Sequence, residues 1–251
     1  MNKDKNNQAV WDKLSKQYFN NFAGSDEIEP EAAENLYFAW PVMEKFIKEN
    51  VKDMDGQRAL DFGCGAGEVC EKLAAMGLAT TGVDYSEGMI DAARKNVGDT
   101  VDLHLGDSKK VLEIAAKDGK FNVIVSVLVF PFIEEIESVM RDLQQSLNEG
   151  GLLCFAVFNE EWVRRALENN IDYEQPEDSQ GISKLILNFR ENRRVEIFHR
   201  SKKEYDNILE GLGFARLLEE YPLFPEEFIS KVYPGMPADI SEYIILGYKK
   251  T

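Results

Sequence analysis

From residue 58 onward the hydrophobic positions of the chain change period repeatedly. Short runs rich in Val, Leu and Phe, at Arg58–Phe62, Thr80–Asp84, Asp102–Leu105, Asn122–Val127 and Leu152–Phe158, read as strands. Between them, apolar residues recur at helical spacing over Glu68–Met76, Glu87–Asn96 and Glu134–Leu147. Gly77 stops the first of these helices, Gly150-Gly151 stops the third, and Ser86 is placed to cap the second. Strands alternating with helices predict a parallel sheet covered by helices.

Two stretches escape this alternation. In residues 1–50, Trp11, Leu14, Tyr18 and Phe22 stand at helical spacing; the acidic run SDEIEPEAAE follows, then NLYFAWPVMEKFI, where Pro41 begins or kinks a second helix. Residues 159–200 hold a helix around Glu161–Glu168, a polar loop and two alternating runs, KLILNF and RRVEIFHR, with RENR at the turn of a hairpin. After them Lys202–Leu212 is helical, Gly213 ends it, and ARLLEEY and EYIILGYKK supply two last strands. The expected organisation is one domain over 1–251, with a helical segment 1–50, a core 58–158, an insertion 159–200, and a helix and strands in 201–251.

A chain of 251 residues, 44% hydrophobic and 29% charged, buries one large core. Its net charge of −16 argues against a broad nucleic-acid footprint, which needs clustered Lys and Arg to displace counterions from phosphates. The N-terminus, MNKDKNNQ, lacks a signal stretch, and no segment approaches the roughly 18 consecutive apolar residues of a membrane helix. A cytoplasmic location without membrane contact is the expectation. Cys64, Cys70 and Cys154 form no CxxC pair and read as reduced packing residues, so neither disulfide nor metal site is expected.

The chemistry gathers at LDFGCGAGEV, Leu60 to Val69, between the first strand and the first helix, at the sheet edge where open α/β folds bind ligands. Gly63, Gly65 and Gly67 give G-x-G-x-G, with Glu68 where a dinucleotide fingerprint has a small residue. This disfavours a nicotinamide cofactor, and no G-x-x-x-x-G-K-[ST] loop announces a nucleoside triphosphate. Asp84 ends the second strand 19 residues beyond Gly65, where a carboxylate accepts from both ribose hydroxyls. Gly106-Asp107-Ser108, after the third strand, would flank an adenine, with Asp107 accepting from its exocyclic amine.

In order and spacing, LDFGCGAG, VDYS and LGDS resemble the glycine loop, ribose acid and adenine turn of class I S-adenosylmethionine-dependent methyltransferases. FNVIVSVLVFPFI and LNEGGLLCFAVFN extend the resemblance, which covers residues 58–158 well and the last two strands loosely. It implies a Rossmann-like three-layer α/β sandwich whose mostly parallel seven-stranded sheet has the order 3-2-1-4-5-7-6, the seventh strand antiparallel. It also implies an N-terminal helical lid and an inserted cap that shapes the acceptor pocket. The activity implied is in-line methyl transfer from S-adenosylmethionine to a small-molecule acceptor, leaving S-adenosylhomocysteine. A protein or peptide acceptor, or a non-catalytic S-adenosylmethionine-binding regulatory protein, stays open as an alternative, as does a monomer or a homodimer.

Residue by residue, the resemblance assigns the cofactor to Asp61, Gly63, Cys64, Gly65, Asp84, Tyr85, Met89, Gly106, Asp107, Ser108, Ser126 and Val127, with Tyr18 of the lid reaching its carboxylate. Asp61 either caps the glycine turn or orients the ammonium of the methionine moiety. Tyr85 and Met89 read as core residues or as walls of the adenine pocket, and Gly67 as helix–sheet packing. Of two histidines, His104 reads as a surface or satisfied residue, while His199 in the insertion is the candidate general base beside its structural reading. Trp40, Trp162, Phe189 and Phe198 are the candidate acceptor contacts, each with a packing role as the plainer alternative.

Overall fold

The computed structural model describes residues 8–13, 15, 39–176, 183–189 and 193–251. Its described elements run α1 (Trp40–Asn50), β1 (Arg58–Phe62), α2 (Glu68–Ala75), β2 (Ala79–Asp84), α3 (Glu87–Val97), β3 (Asp102–Leu105), α4 (Ser108–Asp118), β4 (Phe121–Val127), α5 (Ile136–Ser146) and β5 (Leu147–Phe158). They continue with α6 (Glu160–Glu168), β6 (Tyr173–Glu174), β7 (Leu185–Phe189), β8 (Arg193–Ile197), α7 (Lys202–Gly211), β9 (Phe214–Glu220), α8 (Glu226–Val232) and β10 (Tyr243–Lys250). Residues 8–13 are helical as well.

Seven strands form one sheet in the order β3-β2-β1-β4-β5-β10-β9. Counted within that sheet alone, the order is 3-2-1-4-5-7-6. β1 to β5 pair in parallel, while β10 runs antiparallel to both β5 and β9. The central strands read as continuous apolar runs because helices cover both faces. On one face Val123, Val125 and Cys154 meet Met43, Phe46 and Ile47 of α1 and Val69 and Leu73 of α2. On the other, Ile124, Leu153 and Phe155 meet Val111 of α4, Met140 and Leu143 of α5, and Tyr205 and Leu209 of α7. The switch of face between Val123, Ile124 and Val125 is the two-residue period of a strand. The result is the three-layer α/β sandwich.

Local chemistry sets the helix ends. Ser86 accepts a hydrogen bond from Met89 N to cap α3, Pro41 occupies the first turn of α1, and Ser201 with Glu204 forms a capping box on α7. α4, α8 and the short β6 are additional to the elements predicted from the pattern. α4 has Val111, Ile114 and Ala115 at helical spacing, and Asp107 caps it through Lys109 N. The Gly150-Gly151 pair does not stop a helix. α5 ends at Ser146 and β5 begins at Leu147, so both glycines lie within the strand, where the ladder to β4 shifts register between Phe121 and Val123.

The insertion carries α6 and a separate antiparallel sheet, β6-β7-β8. Residues 190–192 of the predicted hairpin turn lie outside the described residues. Trp162 and Val163 of α6, Leu187 of β7 and Ile197 of β8 share a core with Phe158 and Tyr243 of the large sheet. The insertion is therefore packed onto the carboxyl ends of β5 and the start of β10.

Phe155 sits at the centre of one core face, fully buried, with ring centroids of Phe130, Tyr205 and Tyr248 at 4.9, 5.3 and 5.8 Å. Phe155→Ala should destabilise the fold by about 3–5 kcal/mol in urea unfolding. A loss below about 1 kcal/mol would contradict this packing.

Candidate functional site

A cleft of about 670 Å³ opens at the carboxyl ends of β1, β2, β4 and β5, lined by the glycine loop, Asp84, the Gly106–Lys109 turn and the residues after β4. Such an edge gathers backbone donors, loop residues and side chains without disturbing the sheet. The loop is tied down by Gly63 N and Cys64 N, which donate to Val83 O at 2.7 and 3.1 Å. Gly63 has φ +76°, and a Cβ there would lie 2.2 Å from Val129 Cγ2, so glycine is demanded by the protein's own packing. At Gly65 a Cβ would meet no atom within 4 Å, because the backbone faces the open cleft. Gly67 packs helix on helix rather than helix on sheet, its Cβ position lying 3.0 Å from Val97 Cγ1 and 3.3 Å from Ala93 Cβ.

Three buried carboxylates surround the loop. Asp84 is 8% exposed; its Oδ2 accepts from Gly65 N at 2.9 Å and its Oδ1 from Ser86 N at 2.9 Å. Burial raises its pKa, and the backbone donors of Ser86, Gly65 and Tyr85 oppose that rise. Asp61 is 2% exposed and accepts from Cys70 Sγ at 3.3 Å; burial pushes its pKa up to about 7. Glu68 lines the cleft, its Oε1 is buried with no hydrogen-bond partner, and burial pushes its pKa up to about 7 as well. Carboxylates in this condition favour a cation brought beside them.

The Gly106 turn is joined to the same strand end by Gly106 N donating to Asp84 O at 2.9 Å. Asp107 is exposed, while the Ser108 hydroxyl is committed to Asp142 Oδ2 at 2.6 Å. Tyr85 and Met89 line the cleft beside this turn. The helical residues 8–13 lie across the opening: Gln8 Nε2 donates to Tyr85 O at 2.8 Å, Ser86 Oγ donates to Asp12 Oδ1 at 2.5 Å, and the Trp11 ring stands edge-on to Phe132 at 5.1 Å. No sequence motif announces Gln8 or Asp12, because each acts through tertiary hydrogen bonds, Asp12 accepting from Gly88 N as well at 3.4 Å.

Of the residues predicted for the cofactor, Asp61, Gly63, Cys64, Gly65, Asp84, Tyr85, Met89, Gly106, Asp107, Ser108 and Val127 all line this cleft. Ser126 does not; its hydroxyl donates to Phe62 O at 2.9 Å and fastens β4 to β1. Tyr18 lies outside the described residues, and so does the side chain of Phe189. The remaining acceptor candidates are placed elsewhere. Trp40 is buried among Met43, Leu73 and other residues beneath α1, Trp162 is fully buried in the core of the insertion, and Phe198 is half-buried with its N–H given to Pro131 O at 2.7 Å. Large aromatic side chains served the core first, as their area favours. His199 is also absent from the cleft wall, so it is not positioned as its general base. The wall instead includes Phe132, Phe158, Tyr173, Tyr233, Glu242 and Tyr243, which come from distant parts of the sequence. Arg200, three residues past β8, donates to Ile133 O at 2.8 Å and Glu134 O at 2.6 Å and holds one rim in place.

A family model described as a methyltransferase domain matches residues 34–219. The ubiquinone biosynthesis O-methyltransferase of Coxiella burnetii is 29% identical over 159 residues, 63% of this chain and 64% of that protein. The chain thus spans a little under two thirds of the length of this curated relative. Among solved structures, an S-adenosylmethionine dependent methyltransferase from Mesorhizobium loti aligns with a TM-score of 0.59 at 19% identity, covering 84% of this chain and 97% of that one. Magnesium protoporphyrin IX methyltransferase from Synechocystis with bound SAH aligns with a TM-score of 0.63 at 15% identity, covering 98% and 100%. At these identities the structural likeness is one of fold. Among the described residues no helix is long and apolar enough to cross a membrane.

His199 is 6% exposed, its Nε2 has no hydrogen-bond partner, and burial lowers its pKa to about 4. The folded state therefore holds it neutral, while the unfolded chain protonates it below about 6.5. Its contribution to stability is complete above pH 6.5 and is lost as pH falls toward 4. Comparing urea midpoints of the unaltered protein and His199→Gln at pH 7.5 and pH 5.3, the unaltered protein should lose ground relative to the variant at the lower pH. An equal difference at both pH values would show that His199 titrates as in water.

Proposed function

The chain belongs to the methyltransferase domain family, and from that premise we propose that it transfers a methyl group from S-adenosylmethionine to a small-molecule acceptor, leaving S-adenosylhomocysteine. The observation that carries the proposal is the Asp84 carboxylate, fixed beside Gly65 where the backbone faces open space. When bound, S-adenosylmethionine supplies a methyl group made electrophilic by the positive charge on its sulfur. The residues present fit that molecule. Backbone N–H groups of Gly65, Ser86 and Tyr85 engage the Asp84 oxygens, and the lone pairs that remain are available to the ribose hydroxyls. Asp61 and Glu68 meet the ammonium of the methionine moiety, and the cation offsets the cost of their burial. Tyr85 and Met89 wall the adenine, and Asp107 accepts from its amine.

The protein's task in such a reaction is to hold two molecules in line and keep water out. Asp84 and the glycine loop fix one partner. Residues 8–13, laid over the opening and held by Gln8, Trp11 and Asp12, exclude solvent, and their position favours a small acceptor over a peptide.

Asp84→Ala should weaken S-adenosylmethionine binding about 100-fold by calorimetry, since two hydrogen bonds to a charged group are lost. Unchanged affinity in a variant with native circular dichroism would refute the ribose assignment. The raised carboxylates set a pH dependence too. Because Asp61 takes up a proton near pH 7 in the free protein, affinity should rise about ten-fold from pH 5.5 to 7, below the titration of the ligand's own amine. Asp61→Asn should reduce that rise to the part contributed by Glu68; a profile unaltered by the substitution would remove Asp61 from the ammonium site.

A further inference from the structure

Beyond the glycine loop the cleft continues into a chamber at the junction of the large sheet and the insertion. Phe158 ends β5 and stands opposite Tyr243 in the β5–β10 ladder, the two rings 6.1 Å apart. Tyr173 of β6 meets Phe158 edge-on at 5.9 Å, and Tyr233, after α8, closes another side. These rings offer flat apolar walls with electron-rich faces.

Against these aromatic walls stands Glu242, which lines the same cleft and is 6% exposed. Its backbone carbonyl accepts from Asn159 N at 2.8 Å, which fixes the chain at the start of α6. The lining of the cleft as a whole is acidic. Eight of the described lining side chains are carboxylates, and Lys109 is the one cation among them, its Nζ already 2.8 Å from Asp142. An anionic acceptor entering here would meet like charge in a partly dry cleft, and such repulsion sets specificity as firmly as attraction does. A cation meets the reverse: a buried carboxylate and aromatic faces, the two environments that favour ammonium groups.

Resting on the methyl-transfer reading, we infer that the acceptor is a small aromatic amine bound as a cation, its ring against Phe158 and Tyr243 and its ammonium received by Glu242, and that the site rejects carboxylate acceptors of the same shape. Glu242 is thereby a specificity-determining residue. Nothing in the sequence marks it, because it sits between Ser241 and Tyr243 in what reads as the start of a final strand.

Tyramine and 4-hydroxyphenylacetate are matched probes, alike in ring and length and opposite in charge. Titrated by calorimetry into protein saturated with S-adenosylhomocysteine, tyramine should bind at least ten-fold more tightly. Glu242→Gln should reduce that preference to within about three-fold, and Glu242→Asp, which keeps the charge on a shorter side chain, should retain its direction. Equal or tighter binding of 4-hydroxyphenylacetate, no binding of tyramine at millimolar concentration, or a preference untouched in Glu242→Gln would overturn the assignment. The unaltered protein decides the charge preference even where a variant does not fold. Failure to bind S-adenosylhomocysteine at all would instead overturn the methyl-transfer reading, and this inference with it.

Discussion

Asp84 joins three parts of the protein through one side chain. Its two oxygens accept from Gly65 N in the loop and Ser86 N at the start of α3, and its own carbonyl accepts from Gly106 N in the next turn. A carboxylate at 8% exposure is costly unless hydrogen-bonded, and here backbone N–H groups supply the bonds. The glycine loop, the second strand and the third turn are thus held in mutual register by a group that also faces the cleft. With Ser86 capping α3 from two residues further on, loop geometry and helix geometry are set at one point.

This point was legible in the sequence because the signals are local. Three alternating glycines after an apolar run, and an acid 19 residues beyond Gly65, are spacings along the chain, and the parallel sheet carries them to one edge. The strand order followed from the family resemblance. What local pattern could not reveal is contact between distant segments. Gln8, Asp12, Arg200 and Glu242 matter through tertiary neighbours, and no periodicity distinguishes them from other polar residues. The aromatic candidates Trp40 and Trp162 show the converse. Their size is a strong local signal, but a large ring serves a core as readily as a pocket, and both were claimed by cores. Gly150-Gly151 misled for a related reason: a glycine pair ends a helix only where tertiary pairing does not already draw the chain into a strand.

Asp61 and Glu68 share the loop region with Asp84 but lack its set of backbone donors, and burial raises both to about 7. The free protein keeps them near the midpoint of titration rather than firmly ionised. A cation entering the cleft draws them into the charged state, so binding energy is concentrated on positively charged groups. Farther along the same cleft the wall adds the buried side chain of Glu242. The overall charge of −16 strengthens the approach of cations from solution.

Residues 8–13 and the insertion meet the cleft through a common support. Trp11 packs on Phe132, Phe198 N donates to Pro131 O, and Arg200 donates to Ile133 O and Glu134 O. Residues 130–134 are therefore held from the N-terminal side by an aromatic contact and from the insertion by hydrogen bonds to backbone carbonyls. Leu128, just before them, has φ +54°, a strained backbone that persists only where its surroundings hold it. Its N–H is tied to Ala156 O of β5 at 3.0 Å. One short segment after β4 thus links residues 8–13 to the insertion and to β5 along one wall of the cleft.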